Sequence, residues 1–186
     1  MPAIAKTSHE DVLAAARELL ERDGPDGVSM QAVADAVGVR APSLYKRFAH
    51  RGALIGELER AAFGDLQRAL ERTAVSARAE RDLAAMARVY RRFAKAHRHA
   101  YALMFQPSSL PDVDAVAIRA AATKPVLERL TAWLGAEHAL TAARVLTAFV
   151  HGFVSMELAG AFRLGPGIDD AFETGVATLL RGLRPR

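Results

Sequence analysis

A chain of 186 residues that is 51% apolar can bury a core of its own, which excludes a disordered tail, and its low aromatic content (6%) with plentiful alanine favours helices over sheets. The absence of cysteine excludes disulfides, thiolate zinc sites and iron–sulfur clusters and gives no reason to expect secretion. A net charge of +4 does not identify a partner by itself, so its distribution carries the argument.

In chain order, Thr7 and Ser8 stand before Glu10 and Asp11 at capping-box spacing and start a first helix. Its apolar residues Val12, Ala16, Leu19 and Leu20 share a face, and Gly24-Pro25 stops it. Ser29 caps a second, short helix, with Val28 and Val33 at hydrophobic-staple spacing. Gly38 suits the left-handed position that ends it. Pro42 fits the first turn of a third helix, in which Leu44 and Phe48 face inward. A fourth helix runs from about Arg51 to Arg72 with Leu54, Leu58, Ala62, Leu66 and Leu70 in one stripe. A fifth, from about Glu80 to His97, aligns Leu83, Met86, Tyr90, Phe93 and His97. A short sixth holds Tyr101, Leu103, Met104 and Phe105. The seventh spans about Val113 to Leu134, with Pro125 expected to kink or split it. The eighth spans about Thr141 to Phe162. The ninth is capped by Asp169, with Phe172, Val176, Leu179, Leu180 and Leu183 on its apolar side. No alternating strand pattern, internal repeat or low-complexity tract interrupts this series, and no signal peptide is expected at the N-terminus. The fold class expected is therefore all-α, with about nine helices. The division expected is a three-helix domain over 1–51 and a regulatory and dimerisation domain over 52–186.

Basic and acidic residues balance in the first 51 positions, yet Gly38 to Arg51 holds Arg40, Lys46, Arg47 and Arg51 and no carboxylate. Positive charge is thus focused on the third helix and its flanks. Helix-turn-helix recognition needs a bracing helix, a tight turn and a second helix that shows its N-terminal half to base edges. Val33, Ala34 and Val37 can brace Leu44 and Phe48, and Gly38-Val39 can make the turn. Pro42, Ser43, Tyr45 and Lys46 then face outward, with Arg47 at the margin. Tyr45 is suited to a backbone phosphate, Ser29 and Gln31 to a phosphate at the start of the bracing helix, and Arg51 to another. Arg40, Ser43 and Lys46 are the base-reading candidates. The other reading of the same residues is an exposed amphipathic hairpin whose Lys and Arg only solvate the surface.

The stretch AVADAVGVRAPSLYKRFAHRGALI resembles the N-terminal domain of the tetracycline-repressor (TetR) family. The match lies at Val33-Ala34, Gly38-Val39, Ser43-Leu44-Tyr45, Phe48 and Arg51. Arg47 replaces the His common before the Phe, and Val37 replaces the usual Ala before the Gly. The resemblance implies double-stranded DNA as a partner. It also implies an all-helical regulatory domain whose last two long helices pair with those of a second subunit. His151-Gly152-Phe153 and Glu157 are similar to a subgroup of the family with a C-terminal His-Gly, although the Trp often found before that His is absent and the one Trp is Trp133.

The eighth helix is apolar on nearly every side, so it must be covered all round, by its own subunit or by a homodimer partner. Ala148 and Gly152 permit close helix approach. The expected interface comprises Leu146, Val150, Phe153 and Val154 with Phe172, Val176, Leu179 and Leu180. Two reading heads one helical turn apart (~34 Å) would match a palindrome. The same helix is the most membrane-like segment, but His151 and Glu157 near its middle favour a buried helix over a span. Candidates for a ligand pocket are Met86, Tyr90, Phe93, Met104, Phe105, Trp133, Phe149 and His151, although residues of these types at helical spacing are more often plain core. Family habit favours a small, largely apolar effector, bound among helices four to eight and displacing the fourth.

His97 and His99 point about 200° apart on a helix and cannot share an ion, so no metal and no cofactor are expected. No nucleophile elbow, Walker loop, dinucleotide fingerprint or zinc-protease motif is present, and catalysis has no support. The expected function is a cytoplasmic, dimeric, ligand-released transcriptional regulator, most simply a repressor. The alternative is an all-helical small-molecule binding or enzymatic domain in which His151 and Glu157 act within the cavity and the basic hairpin is incidental.

Overall fold

The computed structural model describes residues 7–73, 76–165 and 167–184. Among these residues every regular element is a helix. The elements are, in order, α1 (His9–Asp23), a 3-10 turn (Pro25–Gly27), α2 (Met30–Ala36), α3 (Ala41–Tyr45), α4 (Arg51–Glu71) and α5 (Ala79–Ala96). Then follow α6 (Arg98–Leu103), α7 (Asp112–Leu134), α8 (Ala136–Leu158) and α9 (Ile168–Gly182). They form two compact units, Met1–Phe63 with His97–Arg119, and Gly64–Ala96 with Ala120–Arg186. The division falls within α4 and within α7.

In the first unit the caps read from sequence set the helix starts. Ser8 Oγ accepts from Asp11 N (3.0 Å) while the Asp11 carboxylate accepts from Ser8 N (2.7 Å), a reciprocal box that uses two otherwise orphaned amides. Val12, Ala16, Leu20, Val28, Val33, Ala34, Leu44, Phe48, Leu54 and Leu58 close around one another as a continuous apolar core. α6 is tied to the end of α1 by polar contacts. The Glu21 carboxylate accepts from Ala100 N (2.9 Å), and His99 Nδ1 lies 2.9 Å from the Leu20 carbonyl.

In the second unit α5 packs on α8 and α9, and α8 packs on α9. Phe149, Phe153 and Phe172 stack between the last two helices, with ring centroids 5.2 to 6.4 Å apart.

Several expectations are corrected. α7 is not split at Pro125. Pro125 lacks one helix amide, and its ring is buried. α8 starts at Ala136 and stops at Leu158, leaving Phe162 outside. Gly160 (φ +67) turns left-handed there, and Ala161 N closes on the Met156 carbonyl at 2.9 Å. Gly167, not Asp169, caps α9, and Asp169 sits in its first turn. His97 is exposed rather than aligned with the buried row of α5.

Candidate nucleic-acid interface

α2 begins where Ser29 Oγ accepts from Ala32 N (3.1 Å) and ends in a Schellman turn. There Gly38 N bonds the Asp35 carbonyl (3.2 Å) and Val39 N bonds the Ala34 carbonyl (2.9 Å), with Gly38 at φ +70. This turn fixes the angle at which α3 leaves. Arg40 occupies the extended N-cap position of α3, and Pro42 falls in its first turn. α3 ends at Tyr45, so Phe48, expected on it, lies in the turn that follows; Leu44 and Phe48 are buried at 1% and 3% exposure in the core that also holds Val33 and Ala34, which anchors α3 and that turn.

Around them Pro42, Ser43 and Tyr45 of α3 and Lys46 and Arg47 just after it are all exposed. Tyr45 is 53% exposed, unusual for so large an apolar ring. Arg40 and Gln31 are exposed on the same unit, with Gln31 Nε2 held by Asp35 Oδ1 at 2.7 Å. Arg47 and Arg51 are also committed within the unit, which sequence reasoning missed. Arg47 Nη2 donates to the Thr7 carbonyl. Arg51 Nε donates to the Val28 carbonyl at 2.6 Å, and its Nη2 to the Pro25 carbonyl. The acceptors lie 40, 23 and 26 residues away in sequence, so no local pattern announces them. Each guanidinium keeps further N–H groups for an anion, because it carries five. The arrangement is a rigid head with an exposed row that combines a small hydroxyl, a phenol and cations, with no carboxylate in it.

The residues expected to line a pocket separate. A cavity of about 30 Å³ in the second unit is lined by Met86 and Tyr90 of that set. Leu70, Leu83, Ala87, Val126, Leu146, Thr147 and Val150 complete it. Phe93, Trp133, Phe149 and His151 do not line it, and Met104 and Phe105 belong to the first unit, the former buried and the latter 48% exposed. Burial pushes the His151 imidazole below its ordinary value. Glu157, the carboxylate of the alternative reading, instead accepts from Arg91 and Lys95. Among the described residues no three potential metal ligands come together.

Most residues expected at a dimer face are covered by their own chain. Leu146, Val150, Val154, Phe172, Val176 and Leu180 are all buried within the chain, and Phe153 and Leu179 are half-buried. The outward row of α8 is Thr141, Val145, Ala148, Gly152 and Met156, with Val145 and Met156 at 41% and 50% exposure. Because α8 is apolar all round, periodicity could not choose between its two sides. By length and composition α8 would also suffice to cross a membrane, and 28% of its most apolar window is buried.

Comparison with known proteins gives two family matches. Residues 12–58 match the bacterial regulatory proteins of the tetR family, and residues 83–179 match the tetracyclin repressor-like C-terminal domain. The chain is 29% identical over 158 residues to the uncharacterized HTH-type transcriptional regulator Rv0681 of Mycobacterium tuberculosis, covering 84% of this chain and 72% of that protein. Among solved structures it resembles a Rhodococcus sp. RHA1 protein of unknown function, at 29% identity with both chains fully covered and a TM-score of 0.85. It also shares the fold of a TetR point variant from Acinetobacter baumannii AYE in complex with minocycline, at 23% identity, 97% and 100% coverage and a TM-score of 0.70.

Proposed function

The chain belongs to the TetR family of DNA-binding transcriptional regulators, which are not enzymes, and we propose that it acts in the cytoplasm as a homodimeric repressor. In this reading it holds a palindromic operator until a small, largely apolar effector releases it. The observation that carries the DNA half is the exposed row Ser43, Tyr45 and Lys46, held out by the burial of Leu44 and Phe48. Tyr45 and Ser29 contact phosphates, Arg40, Ser43 and Lys46 read bases, and Pro42 and Gln31 border the groove. Arg47 and Arg51 spend part of their donors on Thr7, Val28 and Pro25 and offer the rest to the sugar–phosphate backbone.

The outward row of α8 supports the homodimer. Val145, Ala148, Gly152 and Met156 fall within one helical face, and nothing stands within 4 Å of where a Gly152 side chain would begin, so a second helix has room to approach. A second copy covers an apolar strip that water would otherwise wet. The effector binds in the second unit.

A mobility-shift assay on fragments from the gene's own neighbourhood tests the reading. A specific, palindromic site bound with steep salt dependence is expected. Equal, weak binding to all duplexes would overturn it.

A further inference from the structure

Within the first unit, α1 is held at both of its ends. At its C-terminal end the contact with α6 is a reciprocal cap. Two of the first α6 amides are met not by the residue at its own N-cap, His97, but by the Glu21 carboxylate, which accepts from His99 N (3.3 Å) and Ala100 N (2.9 Å). In return His99 Nδ1 lies 2.9 Å from the Leu20 carbonyl and 3.1 Å from the Glu21 carbonyl. Both neighbours can only accept, so Nδ1 carries the proton and donates to the last turn of α1. At its N-terminal end α1 holds the exit of the reading helix. Arg47 Nη2 donates to the Thr7 carbonyl, and the His9 ring stacks on Phe48, with centroids 5.2 Å apart and planes 25° apart. Between these ends α1 is an unbroken helix of 15 residues, about 22 Å long, closed by the Ser8–Asp11 box and by Gly24 N on the Leu20 carbonyl.

We propose that α1 is a rigid strut through which α6 sets the position of the reading helix, with Glu21 and His99 as positioning residues for DNA binding. The proposal rests on the DNA-binding reading of α3 and adds a point from which that binding is controlled. Val12, Ala16, Leu19 and Leu20 bury one side of α1, and Leu103 of α6 belongs to the same core, so the polar lock is backed by apolar packing. A packed helix capped at both ends is nearly incompressible and passes a displacement on rather than absorbing it. A shift of α6 is therefore carried by Glu21 along α1 to Thr7 and His9, and from there to Arg47 and Phe48. Phe48 is 3% exposed, and its movement re-aims Tyr45 and Lys46 just before it.

The test compares the purified full chain as wild type, Glu21→Ala, Glu21→Gln, His9→Ala and the double variant His9→Ala/Glu21→Ala. Removing a carboxylate would by itself strengthen binding to a polyanion, so weaker binding marks lost positioning. Glu21→Ala should weaken operator binding about three- to tenfold with unchanged circular dichroism. Glu21→Gln removes the same charge but keeps one acceptor oxygen, and should recover part of that loss. Sites a helix length apart ordinarily act additively, whereas losing either end of a strut disconnects both, so the double variant should bind within about twofold of the weaker single variant. Hydrogen exchange without DNA should be faster in Glu21→Ala at the Arg47 and Phe48 amides, which bond the Leu44 carbonyl at the far end of α1. Unchanged exchange at those amides, operator binding by Glu21→Ala as tight as wild type or tighter, or losses that multiply in the double variant would overturn the proposal. If Glu21→Ala fails to fold, Glu21→Gln takes its place in each comparison. The exchange measurement needs no operator, so a wild type that binds no operator counts against the regulator reading, and unchanged exchange counts against the strut alone.

Discussion

Arg91 on α5 and Glu157 near the end of α8 meet in a two-point ion pair, Nε to Oε2 at 2.7 Å and Nη2 to Oε1 at 2.8 Å. Both side chains are 11% exposed. The guanidinium lies 4.8 Å from the Phe172 ring centroid and also reaches Asp169 at the start of α9, so one side chain ties three helices together. The Arg91 hydrogen bonds, with help from Lys95, hold the Glu157 carboxyl at about 2, against an ordinary value of 4.5. A depressed carboxyl stabilises the fold fully above its unfolded value and ceases to do so as pH falls through the folded one. Thermal stability should therefore decline between about pH 4.5 and pH 2, and Glu157→Gln should flatten part of that decline. Glu80, Asp82, Glu173, Asp11 and Asp23, also lowered by their partners, contribute to the remainder. At pH 7 the variant should lose roughly 2–3 kcal/mol, between the values for exposed and fully buried pairs. Denaturant melts across pH check this, and a variant melting with the wild-type pH profile would contradict it.

Arg51→Gln should loosen the reading head and also remove one of the proposed phosphate donors. The substitution removes the donors to the Val28 and Pro25 carbonyls, which join the start of α4 to the turn between α1 and α2. A loss of about 1–3 kcal/mol is expected for charged hydrogen bonds of this kind. Hydrogen exchange should show faster exchange around residues 25–33, and DNA affinity should fall with it.

Gly38→Ala separates backbone strain from crowding. Nothing stands within 4 Å of the added methyl, so space is not the obstacle. The cost is the left-handed backbone at φ +70, about 1–2 kcal/mol for a residue with a Cβ. A melting-temperature drop of several degrees should accompany weaker DNA binding, since the same turn aims α3.

The caps and turns of the first three helices were legible because their signals are local. Ser8 with Asp11, Ser29, Gly38 and Pro42 each act within a few residues of themselves, and Leu44 and Phe48 sit one turn apart on a short amphipathic segment. The second partner of each long-range bond was not legible. Nothing near Arg47 or Arg51 points to Thr7, Val28 or Pro25. α8 hid its boundaries and its faces for one reason. Apolar residues all round it, and alanines at its start, leave no period from which to tell inside from outside. A cavity likewise depends on how Leu70, Val126 and Thr147 from three helices fail to fill space, a property of packing that no single stripe records.

Met156→Arg places a charge in the outward row of α8, where the side chain is half exposed in the single chain. A folded monomer should tolerate it, whereas a dimer built on this face would bury an unpaired charge. Light scattering should report a dimer for the wild type and a monomer for the variant, with unchanged circular dichroism. A dimer in both would move the subunit contact elsewhere.

The central claim is that the exposed row of α3 binds duplex DNA, and fluorescence anisotropy of the wild type, Tyr45→Ala and Lys46→Ala on a palindromic operator fragment at two salt concentrations tests it most directly. The expected result is specific wild-type binding that weakens steeply with salt, a loss of about tenfold or more in each variant, and a shallower salt slope for Lys46→Ala. Variants that fold normally and bind that fragment with wild-type affinity and salt dependence would contradict it.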